Sequence, residues 1–209
     1  MRLRVDPRTG AVLLTVPKRA SLKRAMAWAA EQQGWIDRQL AAVPAPATIA
    51  PGETVPLYAV PHRIDWSPER PRTVRIEDER IVLGGPAELL EPRLLRWLRQ
   101  HALALLTRET HEYAAKAGVA VENVGVGDPI SRWGSCSSSG AIRYSWRLIL
   151  APDHVRRATV AHEVAHRVHM NHGPAFHALV AELFGSDPAP ARAWLKREGA
   201  GLHRFGRRL

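Results

Sequence analysis

One cysteine, Cys136, stands in 209 residues, so no disulfide can form within the chain, and such sparing use fits a reducing compartment. Long apolar runs are missing too. No stretch approaches the roughly 18 apolar residues that a membrane span requires, and the opening MRLRVDPRTG is charged where a signal peptide would be apolar. The expected setting is the cytoplasm, with no membrane partner. There is no internal repeat, no Gly-rich phosphate loop and no second carboxylate cluster suited to Mg²⁺. The length is enough to bury one core without staples.

Acidic residues are in deficit: 20 Asp and Glu face 30 Lys and Arg, a formal charge of +10. Such an excess draws polyanions, whether nucleic acid, nucleotides or acidic peptides. Lysine is nearly absent as well. It occurs at Lys18, Lys23, Lys116 and Lys196, which leaves 26 of the 30 cations as arginine. In a chain also rich in Ala and Pro, that ratio matches a GC-rich coding bias as well as it matches a selected surface. No array of aromatic and basic residues marks a nucleic-acid site, and the tail His203–Leu209 reads as a frayed basic end.

Periodicity supplies the elements. MRLRVDP and AVLLTVP alternate apolar and polar residues around a turn and predict a β-hairpin. From Ser21, a plausible N-cap, Leu22, Met26, Ala29, Ile36 and Leu40 recur at helical spacing to about Ala41. Residues 42–56, with four prolines, read as a linker. Strands are expected over 55–66 and 73–83, and a long core helix over 86–117. Residues 121–126 and 141–150 would form a small sheet, with 135–140 as a polar turn between its members.

The chemistry lies further along, in His162-Glu163-Val164-Ala165-His166. At about 100° per residue, the two histidines of a helical H-E-x-x-H lie about 40° apart around the axis and one turn apart along it, so they can share a metal. Glu163 projects about 60° to the side of His166, where a base for a metal-activated water belongs. The segment 152–171 reads as the carrying helix, opened by Pro152 and Asp153, with Val160, Ala161, Val164 and Val168 on the inward face. His169 lies two turns from His162, about 10 Å along the axis, too far for one ion to hold both with His166. His172 precedes Gly173-Pro174, where the chain must turn, and is the preferred third ligand. Glu182, on a second helix over about 174–184, is the alternative. His177 reads as a cleft residue and not a ligand. Cys136 has no evident activating partner, which argues against a thiol nucleophile.

Four stretches, in order and spacing, resemble the YgjP-like metal-dependent hydrolases, relatives of the SprT-like and WLM zincin peptidases. They are SRWGSCSSSGAIRYSWRLILAP from Ser131, VAHEVAH from Val160, MNHGPAF from Met170 and AWLKREG from Ala193. The resemblance implies that His162, His166 and His172 are metal ligands and Glu163 the catalytic base. It also implies that some of Arg132, Trp133, Ser135 and Cys136 line the site. Two positions depart from the family pattern: His177 stands where an aromatic residue is common, and Ser145 where Asn precedes the Trp. Both bear on what the cleft accepts. The chain has no cysteine-rich zinc ribbon, so a DNA-directed role of the SprT-like kind does not carry over.

The expected fold is α+β: a zincin-like catalytic domain over 85–209, with a small antiparallel sheet packed on helices, preceded by a hairpin, helix and β-rich region over 1–84. In such domains an edge strand pairs with an extended peptide, and 140–150 is the candidate strand. Arg132, Trp133, Ser135, Tyr144 and Trp146 are candidate substrate contacts, Arg132 or Tyr144 candidate oxyanion partners, and for Trp133 and Trp146 core packing is an equal reading. The expected function is hydrolysis dependent on one Zn²⁺ per chain, although histidine sites also accept Co²⁺, Ni²⁺ and Mn²⁺. A peptide or protein is the preferred substrate. Nucleotide triphosphate or another phosphoanhydride is the alternative, and a non-catalytic basic binding domain braced by a metal is the third reading.

Overall fold

A computed structural model describes residues 1–6, 9–41, 43 and 45–206. The N-terminal hairpin forms as expected, β1 (Arg2–Val5) antiparallel to β2 (Val12–Thr15) with Arg2 opposite Thr15. The helix after it is two helices, α1 (Leu22–Glu31) and α2 (Gln33–Ala41), broken at Gln32. Ser21 caps α1 by accepting from the Arg24 amide. Of the apolar positions expected to pack, Ile36 is buried, whereas Leu22 and Met26 stay exposed. Among the described residues nothing covers their stripe.

Each of the next two expected strands is a pair. Tyr58 and Ala59 both take positive φ, 56° and 64°, and turn the chain between β3 (Thr54–Leu57) and β4 (Val60–Ser67). Asp78, at φ 54°, helps turn it between β5 (Arg75–Glu77) and β6 (Arg80–Gly84). The four join in the order β3-β4-β6-β5, with β4 and β6 parallel. Val55, Leu57, Ile64, Ile81 and Leu83 of this sheet are buried and belong to the core. They share the core with α3 (Leu90–Ala117), whose Leu94, Leu98 and Leu106 are wholly buried, each worth about 1.5–3 kcal/mol of burial.

Sequence spacing misjudges the third sheet in a way that matters for the site. It consists of β7 (Asn123–Gly127), β8 (Gly134–Cys136) and β9 (Ala141–Ser145), in the order β7-β9-β8. β8 and β9 are antiparallel, but β7 runs parallel to β9, so the sheet is mixed. The expected strand over 141–150 stops at Ser145, whose Oγ accepts from the Arg147 amide and opens a 3₁₀ turn at Trp146–Leu150.

Helix α4 (Asp153–Ala165) packs Val155, Val160, Ala161 and Val164 inward and ends six residues before Asn171, so Val168 is exposed and not core. Arg156 of α4 makes two hydrogen bonds to Glu109 of α3, Nε to Oε2 at 3.0 Å and Nη2 to Oε1 at 2.8 Å. Both side chains are buried. After α5 (Pro174–Phe184) comes α6 (Ala189–Leu202), an element the periodicity did not single out. The tail is not frayed through Gly206: His203 and Phe205 are buried, and the wholly buried Arg147 donates to the carbonyls of Leu202 and Phe205. Arg207, Arg208 and Leu209 lie outside the described residues, as do Ala42 and Pro44 of the expected linker. One hydrophobic core runs from Ile49 to Phe205, across the expected boundary at 84–85. Among the described residues no helix is long and apolar enough to cross a membrane.

Candidate metal centre

His162 lies in the last turn of α4, His166 caps its end in helical conformation, and His172 comes from the loop that leads into α5. The helix stops where it does because the chain then folds back on it: His166 Nδ1 donates to the carbonyl of His169 at 3.1 Å. That bond places the proton on Nδ1 and leaves the lone pair of His166 Nε2 free to ligate a metal. It also gives His169 a role other than the one weighed from spacing, since its backbone and not its ring serves the site.

One donor nitrogen from each of His162, His166 and His172 lies within 4.8 Å of the other two. The Nε2 atoms of His162 and His172 are 3.3 Å apart. Two tetrahedral ligands with bonds of about 2.0–2.1 Å stand about 3.3–3.4 Å apart, so this pair is already at ligand spacing for zinc. Burial lowers the pKa of His162 to about 4, helped by the neighbouring His166 and His172, and burial also lowers that of His166. Neutral imidazoles are what a metal needs. Phe176 of α5, wholly buried, holds all three rings: it stacks on His166 at 4.5 Å and meets His162 and His172 edge to face. Nothing in its sequence setting beyond its place in MNHGPAF points to that task.

Glu163 is 4% exposed, and burial raises its carboxyl pKa to about 7, with the Arg132 guanidinium pulling the other way. Its Oε2 has no hydrogen-bond partner. A buried carboxylate oxygen without a partner is costly and asks for a ligand, here a water or a substrate proton. β8 presses on it from the side. A Cβ built on Gly134 would fall 2.4 Å from Glu163 Oε1, so any larger residue there must displace the glutamate or the strand.

A cleft of about 250 Å³ opens beside His162 and Glu163, with Arg132, Trp133, Val180 and Leu195 among its lining. Of the five candidate substrate contacts, Arg132 and Trp133 are thus brought to the histidines. Ser135 lines a neighbouring cavity of about 220 Å³ together with Arg132 and Tyr144. Tyr144 is itself buried, its hydroxyl 3.0 Å from Thr110 Oγ1 and its pKa driven upward by burial, so that hydroxyl is committed to the core. Trp146 is not brought to the cleft either. It is wholly buried, with the guanidinium of Arg147 4.5 Å from its ring centre.

Glu182 is exposed and stands outside the donor cluster, and His177 is exposed with its ring 6.3 Å from that of His172. Burial pushes the Cys136 thiol upward, against thiolate chemistry. β9, the strand expected to pair with substrate, is the centre of its sheet and is paired on both sides. The edge strand at the cleft is β8. Sequence reasoning missed Gly134, Phe176, Val180, Arg192 and Leu195. Gly134, Phe176 and Leu195 do lie within the resembling stretches, but nothing in their spacing marks a role.

Compared with known proteins, the sequence matches the family model described as "YgjP-like, metallopeptidase domain" over residues 1–198. No curated protein and no solved structure matches it.

Proposed function

Since the chain belongs to the YgjP-like metallopeptidase family, we propose that it is a zinc-dependent peptidase in which His162, His166 and His172 hold the ion and Glu163 is the general base. The observation that carries this reading is the convergence of three imidazole nitrogens beside a buried carboxylate oxygen that has no other partner. When bound, zinc supplies Lewis acidity, which eases deprotonation of a water and polarises the carbonyl under attack.

The chain's own residues do the rest. Glu163 takes a proton from the attacking water and returns it to the departing amine. The acyl carbon gains the water's oxygen as the C–N bond breaks, which gives a carboxylate and an amine. Phe176 and the His169 carbonyl keep the imidazoles in place, and Gly134 lets β8 lie against Glu163. β8, in place of β9, is the strand we assign to main-chain pairing with an extended substrate. Three histidines and a free glutamate favour catalysis over a structural metal, whose four positions are usually closed by protein. The family supports peptide bonds over phosphoanhydrides. The lone cysteine supports work in a reducing, cytoplasmic setting.

The test sets zinc-loaded parent and Glu163→Gln against a peptide library and a nucleotide panel. The parent is expected to cleave peptides only. The variant should keep its zinc and lose about 10²- to 10⁴-fold in turnover, the usual range for a positioned acid–base group. Undiminished turnover by Glu163→Gln would remove the base, and turnover of nucleotides only would replace the substrate class.

A further inference from the structure

The cleft carries two features that the peptidase reading leaves unused. The first is its size and wall. At about 250 Å³ it falls below the range that encloses a whole drug-sized ligand, about 300–1,000 Å³, so it has room for about one side chain. Trp133, Val180, Ala191 and Leu195 make its lining largely apolar.

The second is a pair of cations in that same lining. Arg132 comes from the segment ahead of β8 and Arg192 from the first turn of α6. Both are exposed, and neither forms an ion pair with another described residue. Their charges are felt at the centre, Arg132 at Glu163 and Arg192 at His162. Glu163 is the one carboxylate in the lining against these two guanidinium groups, and the three imidazoles of the centre bring no negative charge. Two guanidinium groups thus outnumber the one carboxylate of the lining, and an anionic group on a substrate would offset the excess. Guanidinium groups pair with carboxylates and phosphates by two parallel hydrogen bonds, and an apolar wall sized for one side chain favours the carboxylate that ends a peptide.

We propose that the cleft binds the C-terminal residue of a peptide, its apolar side chain in the pocket and its free α-carboxylate on Arg192 and Arg132, so that this residue is released. The proposal rests on the peptidase reading and narrows its substrate. Water adds across the last peptide bond: the penultimate carbonyl carbon becomes a carboxylate, and the last residue leaves as a free amino acid whose nitrogen takes the proton.

Two peptides that differ only at the C-terminus, one ending in leucine as the free acid and the other in leucinamide, are offered to the zinc-loaded chain. The free acid is expected to be cleaved with a kcat/KM about 10- to 100-fold higher, as for loss of hydrogen bonds to a charged group, with release of leucine. In Arg192→Gln and Arg132→Gln, both surface changes, that ratio should fall toward one. Equal cleavage of acid and amide by the parent, dependent on Glu163, overturns this inference and leaves the peptidase standing. Arg192→Gln with an undiminished ratio removes Arg192 from the site. Uniform loss on both substrates in Arg132→Gln makes Arg132 an oxyanion partner, against its part here. Cleavage of neither peptide by zinc-loaded parent overturns both readings together.

Discussion

Gly134 and Glu163 compete for one space. The glycine has no side chain because a Cβ would sit 2.4 Å from Oε1 and 2.6 Å from Cγ of the glutamate. Gly134→Ala must therefore displace either the carboxylate or β8. A misplacement of about 1 Å costs about 100-fold in rate, so turnover should drop by that order while zinc content, measured by atomic absorption, stays at the parent's level. Retained turnover would show that the carboxylate need not be held where it lies. The histidines and Glu163 could be grouped from sequence because their spacing is local, set by one helix turn and one helix-breaking Gly-Pro. Phe176, Gly134 and Arg192 could not, because each matters through a tertiary contact that no spacing encodes. Tyr144 and Trp146 show the opposite error, for closeness to the motif in sequence says nothing of which side of β9 and the following 3₁₀ turn a side chain takes.

Among elements, the α3–α4 junction decides whether the metal helix stays in register with the rest. Arg156 and Glu109 form its buried ion pair, and Asp153 adds a bond at 2.7 Å from the helix start. Removing one partner strands the other charge in the core. Glu109→Ala is expected to cost about 3–5 kcal/mol in urea unfolding, far more than loss of a surface pair such as Lys116–Glu112. A loss below about 1 kcal/mol would mean that water reaches Arg156. The types of the longer elements before α6 were legible from periodicity, but their ends, β8, the 3₁₀ turn at Trp146–Leu150 and α6 were not. The break at Tyr58-Ala59 uses positive φ without glycine or asparagine, so no turn residue announces it. Likewise α4 ends at Ala165 through the His166–His169 bond, a capping contact hidden from a pattern that stayed helical to Asn171.

Over the whole molecule, a mixed α+β architecture follows from alternating strand and helix periods, and the family model spans both halves of it. What composition could not convey is how the tail closes the core. Arg147 looks like one more surface cation in an arginine-rich chain, yet it is wholly buried and ties Leu202 and Phe205 down. The basic excess is therefore partly structural and partly, at Arg132 and Arg192, a property of the cleft. On the proposed reading, one zinc ion sits on three histidines with an open position beside Glu163. Anomalous scattering measured on either side of the zinc edge, from crystals of the whole chain grown with zinc, tests it most directly. One peak is expected at about 2.0–2.1 Å from a nitrogen of each of His162, His166 and His172, with no fourth protein ligand. A peak ligated by Glu182, or by Glu163 itself, would contradict it.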